Sequence, residues 1–201
     1  AIAQGVFRNP LADPYLLGSA SGASLGVALA MAALGVSPFA LAGLARWGVT
    51  GAAFAGAVVA VVLTLVLAKG VQNTMRLLLA GVVVGVVLGA AASLVLLMNP
   101  DIMQAMQSFM LGSTAFAGWN ACALMLWVLL PTLALSWCLS RVLDGLALGE
   151  STAHSLGLPL GPLRLLLIVL LALATGTAVA QTGLIAFVGL AAPHLVRSMV
   201  R

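Results

Sequence analysis

The sequence predicts an all-α fold: a polytopic helical membrane protein with about six spans. Composition is the first reason. Of 201 residues, 63% are hydrophobic and 6% are charged, whereas a soluble domain carries about 25% charged residues. A water-facing surface cannot be built from so few charges. The second reason is length, because six apolar segments reach or approach the ~20 residues of a bilayer-crossing helix. The third is that these segments are apolar over most of their circumference. In lipid the backbone must satisfy its own hydrogen bonds, which leaves helices rather than open strands. Eight basic residues are too few for a phosphate-tracking stripe, so nucleic acid is excluded as a partner and the lipid bilayer is the expected surrounding.

The elements follow in chain order. Residues Ala1 to Phe7 read as the tail of a preceding helix. In Arg8-Asn9-Pro10-Leu11-Ala12-Asp13-Pro14 the two prolines stop helix continuation, while Asp13-Pro14 reads as N-cap and first position of the next helix. On local grounds this is a plain interhelical turn. The expected spans are Leu16–Val36, Gly48–Ala68, Leu77–Met98, Trp119–Ser140, Leu163–Ala180 and Leu184–Val200. The last two are short and share a tight turn around Gln181-Thr182-Gly183.

Glycine ladders mark two spans: Gly18, Gly22 and Gly26 in the first, and Gly81, Gly85 and Gly89 in the third. Spacing of four puts each set on one helix face, where a neighbouring backbone can approach closely. Helix packing is the simpler reading, and lining a passage is the alternative. Asn99-Pro100 ends the third span, and Asp101 is placed to cap a short helix. That helix has Ile102, Met103, Met106, Phe109 and Met110 on one side, and Gln104, Gln107 and Ser108 on the other. The pattern suits a helix lying in the outer interface or a collar that touches an external partner. Cys122 and Cys138 lie 16 residues apart on one span. That is roughly 24 Å, beyond the ~7 Å Cα limit of a disulfide. The chain starts without Met and stops at Arg201 as an apolar segment ends. It is therefore expected to be part of a longer chain, truncated at both ends, with at least one span before Ala1.

Charge sets the orientation. Alternating sides along the chain puts Arg8, Lys69, Arg76, Arg141, Arg164, Arg197 and Arg201 on one side and only Arg46 on the other. By the positive-inside bias, the side with seven is cytoplasmic. Leu143–Pro159 is the one sizeable polar island between two apolar segments, and it holds two of the four acidic residues, Asp144 and Glu150. It faces the cytoplasm and reads as a docking loop; Asp101 falls outside.

Several chemistries are absent from the sequence. No Gly-x-x-x-x-Gly-Lys-Ser/Thr run is present to bind nucleotide phosphates, and there is no His-Glu-x-x-His. Gly18-Ser19-Ala20-Ser21-Gly22 resembles a nucleophile elbow but has Ala20 where the serine must stand. No mid-span Asp, Glu or His is available for a proton relay or intramembrane hydrolysis. His194 reads as an interfacial structural residue. His154 has Glu150 one turn earlier and no second ligand. No catalytic residue, metal site or cofactor is expected, and the chain is not an enzyme. A nearly uncharged body with a cytoplasmic polar loop reads as a conduit whose energy comes from another chain.

Several ordered motifs then resemble one family: Arg8–Pro14 followed by Leu17-Gly18-Ser19-Ala20-Ser21-Gly22-Ala23; Arg76-Leu77-Leu78-Leu79-Ala80-Gly81; Met110-Leu111-Gly112-Ser113; Leu148-Gly149-Glu150 with Ala153 and Leu156-Gly157; and Gly183 through Phe187-Val188-Gly189-Leu190 to Pro193-His194. Together they are similar to the permease subunits of ABC importers for iron–siderophore, haem and cobalamin, the FecCD/BtuC-like family. One departure is Ser19, where the family more often has a β-branched residue. The resemblance implies a ten-helix fold of which the third to eighth helices are present, as a single transmembrane permease domain over 1–201. It implies a homodimer with a second permease copy, two cytoplasmic ATPase subunits and an external substrate-binding protein, in the cell inner membrane. It also implies a coupling loop at 143–161, in which Leu148, Gly149, Glu150, Ala153, Leu156 and Gly157 meet the ATPase. Asn9, Leu11, Asn73 and Thr74 take the positions of a cytoplasmic gate. The family's halves are inverted repeats, and Ala1-Ile2-Ala3-Gln4-Gly5 resembles Ala178-Val179-Ala180-Gln181-Thr182-Gly183. The expected function is import of an iron chelate, ferric siderophore or haem, by alternating access, with cobalamin next. The rivals from other classes are an ATP-independent channel or carrier and a membrane-embedded enzyme.

Overall fold

The computed structural model describes residues 2–34, 44–115, 117–147 and 159–199, which are helical with no strand among them. The helices are α1 (Ile2–Val6), α2 (Ser19–Leu34), α3 (Leu44–Leu67), α4 (Thr74–Met98), α5 (Met103–Leu111), α6 (Trp119–Cys138), α7 (Ser140–Ala147), α8 (Leu160–Thr182) and α9 (Val188–Met199). Each expected span coincides with a helix, but only four are long and apolar enough to cross a bilayer: Trp47–Leu67 within α3, α4, α6 and α8. Within the described residues α2 has 16 residues and α9 has 12. Both are shortened at their N-terminal ends by a backbone break. Pro14–Leu17 is a 3-10 turn closed by Gly18 at φ 77°, and residues 183–187 are non-helical, with Gly183 at φ 74° and Phe187 at φ 67°.

The helices pack through small residues. Gly22 and Gly56 face each other so closely that a Cβ on either would strike the other's carbonyl oxygen, and one on Gly26 would strike that of Ala52. Ala52, Gly56 and Ala60 recur every four residues on α3 and complete the interface that the α2 ladder begins. On α4, Gly81 receives the Leu16 carbonyl, whereas a Cβ on Gly85 would lie 3.7 Å from Ser21 Oγ and 3.8 Å from Gly18 Cα, and one on Gly89 would lie 3.8 Å from Ser21 Oγ. Half of the α8 span is buried inside the chain, against 11% of α6, so α8 is the central helix of the described body.

Two apolar clusters fill opposite ends. One joins Ala3, Val6, Phe7, Ala12, Leu17, Ala68, Val71, Leu77, Val142 and Leu167. The other joins Val27, Met31, Ala53, Ile102, Ala105, Met106 and Val179. The first cluster lies at the end that carries Arg8, Lys69, Arg76, Arg141 and Arg164. α1 packs on α7, with Leu143 against Gly5, and Arg164 reaches the carbonyls of residues 71 and 72. Asp101 lies beyond the far end of α4.

One expectation is corrected. Asp101 does not cap a helix: it lies inside a 3-10 turn, Pro100–Ile102, and α5 begins with no side-chain cap. The side of α5 buried within the chain is Ile102, Ala105 and Met106, while Met103 and Met110 are 45% and 54% exposed. Starting the helix after Ile102 sets which side chains turn inward. α5 is tied to the body by two backbone bonds. Leu184 N–H donates to the Phe109 carbonyl at 3.0 Å and Ser113 N–H to that of Thr182 at 2.7 Å. In the polar island, the described residues Leu143 to Ala147 continue helix α7.

Candidate functional site

The two backbone breaks come from opposite ends of the body and touch at Pro14 and Gly189, both half-buried. From the basic end, Asn9 accepts the Leu11 N–H at 2.9 Å and Asp13 accepts that of Tyr15 at 2.8 Å, so two short side chains turn the chain twice. Pro14 then starts the 3-10 turn, as its fixed φ allows. By Leu16 the chain abuts Gly81, seven residues or roughly 10 Å along α4 from its start at Thr74. The carbonyl of Leu17, left over between the 3-10 turn and α2, accepts from the buried Thr64 hydroxyl at 3.0 Å. From the opposite end, residues 183–187 leave α8 and descend until Gly189 touches Pro14, so closely that a Cβ there would lie 2.6 Å from Pro14 Cγ. The Tyr15 hydroxyl donates to the Ile185 carbonyl at 3.4 Å. A cavity of about 270 Å³ lies at this crossing, lined by Asp13, Tyr15, Thr175, Thr182, Ile185 and Gly189 among others. Asp13 therefore stands, half-buried, beside an open pocket at this crossing.

The expected gate residues lie at the basic end. Asn9 is exposed and Leu11 is 68% exposed, on the turn that leads to the first break. Asn73 and Thr74 are on the α3–α4 turn, exposed and half-buried respectively. Ala12 and Leu77, which flank the two turns, belong to one apolar cluster. Asn73 also has structural work: its Oδ1 accepts the Arg76 N–H at 3.0 Å and caps α4. Gly18, Gly22, Gly26, Gly81, Gly85 and Gly89 lie along the α2–α3 and α2–α4 contacts described above. Leu148, Gly149, Glu150, Ala153, Leu156 and Gly157 lie outside the described residues.

Sequence reasoning missed two polar residues. Arg164 reads as a charge at the end of a span, yet it is 2% exposed inside the body. Its position one turn into an apolar helix was the available signal, since a cation is disfavoured at a helix N-terminus. Gln181 closes α8 with its Nε2 buried and without a hydrogen-bond partner among the described residues. It lines a crevice of about 340 Å³ with Trp47, Thr50, Trp119 and Asn120. Its sequence counterpart Gln4 instead donates to the Pro10 carbonyl at 2.8 Å. Among the described residues, no three His, Cys, Asp or Glu side chains gather in metal-ligating geometry.

A model of the FecCD transport family matches residues 1–201. The chain belongs to the FecCD transport family. Relatives at similar distances carry different cargo names. The hemin transport system permease protein HmuU of Yersinia pestis is 39% identical over 204 residues, covering 99% of this chain and 59% of HmuU. The vitamin B12 import system permease protein BtuC of Salmonella typhimurium is 38% identical over 199 residues, covering 98% of this chain and 59% of BtuC. A solved structure described as an inward-facing, metal-chelate type ABC transporter superposes with a TM-score of 0.85 at 28% identity, covering 99% of this chain and 62% of that one. The chain thus spans 59% of the length of these curated relatives. As a FecCD member it is a multi-pass helical membrane protein of the permease type.

Proposed function

We propose that this chain is the transmembrane permease part of an ATP-driven importer that moves an iron chelate, ferric siderophore or haem, across the cell inner membrane by alternating access. One observation carries the reading: two broken helices enter from opposite ends and meet at Pro14 and Gly189. Carriers built from inverted repeats place their moving parts around such discontinuous helices. A break is a natural hinge, since few backbone hydrogen bonds must be lost for the two halves to pivot. The lack of a phosphate-binding loop in the chain fits an energy source on separate ATPase subunits. In this reading the island 143–161 is the coupling loop, where Leu148, Gly149, Glu150, Ala153, Leu156 and Gly157 meet the ATPase. Asn9, Leu11, Asn73 and Thr74 close the inner mouth between two permease copies, and an external binding protein delivers the cargo. The chain does no covalent chemistry.

Cobalamin is the second reading, favoured by the 38% identity to BtuC beside 39% to HmuU. Co-purification of the full-length permease tests the proposal. A Walker-A ATPase is expected to accompany it, and Glu150→Arg is expected to abolish uptake. If no such ATPase accompanies the permease and Glu150→Arg leaves uptake unchanged, the importer reading fails and an ATP-independent carrier takes its place.

A further inference from the structure

Arg164 is 2% exposed and sits one turn into α8, at the helix end where the macrodipole disfavours a cation. A guanidinium carries N–H donors and no acceptor, so a buried one needs neighbouring oxygens. The α3–α4 turn supplies them, with Nη1 donating to the Gln72 carbonyl at 2.7 Å and to the Val71 carbonyl at 3.4 Å. That turn follows the α3 C-terminus, where the partial charge is negative and a cation is welcome. Both ends of the link are anchored. Val71 is buried in one apolar cluster with Leu160 and Leu167 of α8. Asn73, next to Gln72, is fastened to α4 through the Arg76 N–H.

Sequence order makes this more than a tie. The polar island joins α6 through α7 on one side and α8 at Leu160 on the other, so a displacement of the island reaches the first turn of α8 through the chain itself. The turn held by Arg164 carries Asn73 and Thr74. We infer that Arg164 is a positioning residue that transmits displacement of the island to the α3–α4 turn, making the N-terminal end of α8 and that turn move as one body. The inference rests on the proposed reading of the island as the ATPase dock and of the turn as the inner gate. Arginine suits the task because one guanidinium nitrogen, Nη1, reaches two carbonyls of that turn. Parting a buried guanidinium from these carbonyls carries a desolvation penalty, so the link follows the motion instead of breaking.

The test uses the full-length permease with its ATPase in proteoliposomes, following hemin, a ferric siderophore or cyanocobalamin, whichever the unmodified complex accumulates. The readout is cargo moved per ATP hydrolysed, which a merely structural residue would not alter in an intact complex. Arg164→Met is expected to leave assembly and ATP hydrolysis within about twofold and to lower cargo per ATP about tenfold, within the usual range of coupling energies. Arg164→Lys, which keeps the charge but lacks the guanidinium, is expected to fall between Arg164→Met and the unmodified protein. An unmodified ratio in both variants overturns the inference. If Arg164→Met does not assemble, Arg164→Lys decides: a lowered ratio in an intact complex supports the inference and an unmodified ratio overturns it. Glu150→Arg separates the two layers. If it blocks uptake while the Arg164 variants stay coupled, only the link is wrong; if it has no effect on uptake, the docking reading itself has failed.

Discussion

At the residue scale, close approach and capping assign different weights to residues that look alike in sequence. Gly22 and Gly89 are both rungs of four-residue ladders, yet a Cβ on Gly22 would strike the Gly56 carbonyl, whereas one on Gly89 would meet Ser21 Oγ at 3.8 Å. Gly22→Ala is therefore expected to destabilise the protein by about 1–3 kcal/mol, the usual cost of overpacking. Gly89→Ala should stay within about 0.5 kcal/mol, as for substitutions away from tight contacts. Denaturant unfolding in detergent measures both, and equal losses would contradict the packing described. Asn73 offers a second contrast, because its side chain caps α4. Asn73→Ala should cost about 1 kcal/mol, while Asn73→Asp keeps the acceptor and should retain stability. If uptake follows stability across these two variants, Asn73 matters as a cap; if Asp restores stability without uptake, its amide acts at the gate.

At the scale of the element, the turns at the two breaks are held by a few specific contacts. Gly183 has φ 74°, and a Cβ there would strike the Phe109 carbonyl that Leu184 N–H bonds. Gly183→Ala is expected to push α5 away from the α8–α9 turn. Hydrogen exchange should then rise at Leu184 and Ser113, whose amides bond across that contact, and unchanged protection would refute it. At the other break, Thr64→Val removes the donor to the Leu17 carbonyl and should cost about 1–3 kcal/mol for the buried acceptor left unpaired, whereas Thr64→Ser should not. The helices themselves were legible because apolar length and Pro or Gly breaks are local signals: Asp13-Pro14 opens a helical turn as read, and Asn99-Pro100 ends α4. What did not show was depth. A chain entering the body and a chain turning at its surface use the same Asn, Asp and Pro residues, so Arg8–Pro14 read locally as a plain turn. The α3 ladder Ala52-Gly56-Ala60 was visible, but alanine is common enough in this chain that only the facing glycines of α2 give it meaning. The inward side of α5 depended on whether the helix begins at Asp101 or Met103, a difference of half a turn.

For the whole molecule, composition and charge placement were sufficient for a multi-pass helical protein, because long apolar runs with few charges belong in lipid, where each helix satisfies its own backbone. The basic residues Arg8, Lys69, Arg76, Arg141 and Arg164 do lie toward one end of the described body. Arg164 was legible as a charge but not as a link, since its carbonyl partners lie 92 and 93 residues away in sequence. The cargo of the proposed importer was not legible, since relatives 39% and 38% identical carry different cargo names. The proposed importer is a body moved by ATP hydrolysed on another chain to take up an iron chelate. The decisive measurement is uptake by the full-length permease, reconstituted with its ATPase and binding protein, with hemin, a ferric siderophore and cobalamin compared side by side. An iron chelate is expected to accumulate, and only with both ATP and the ATPase subunit present. Accumulation that proceeds equally well without the ATPase, or of none of the three cargoes with it, would refute the proposal.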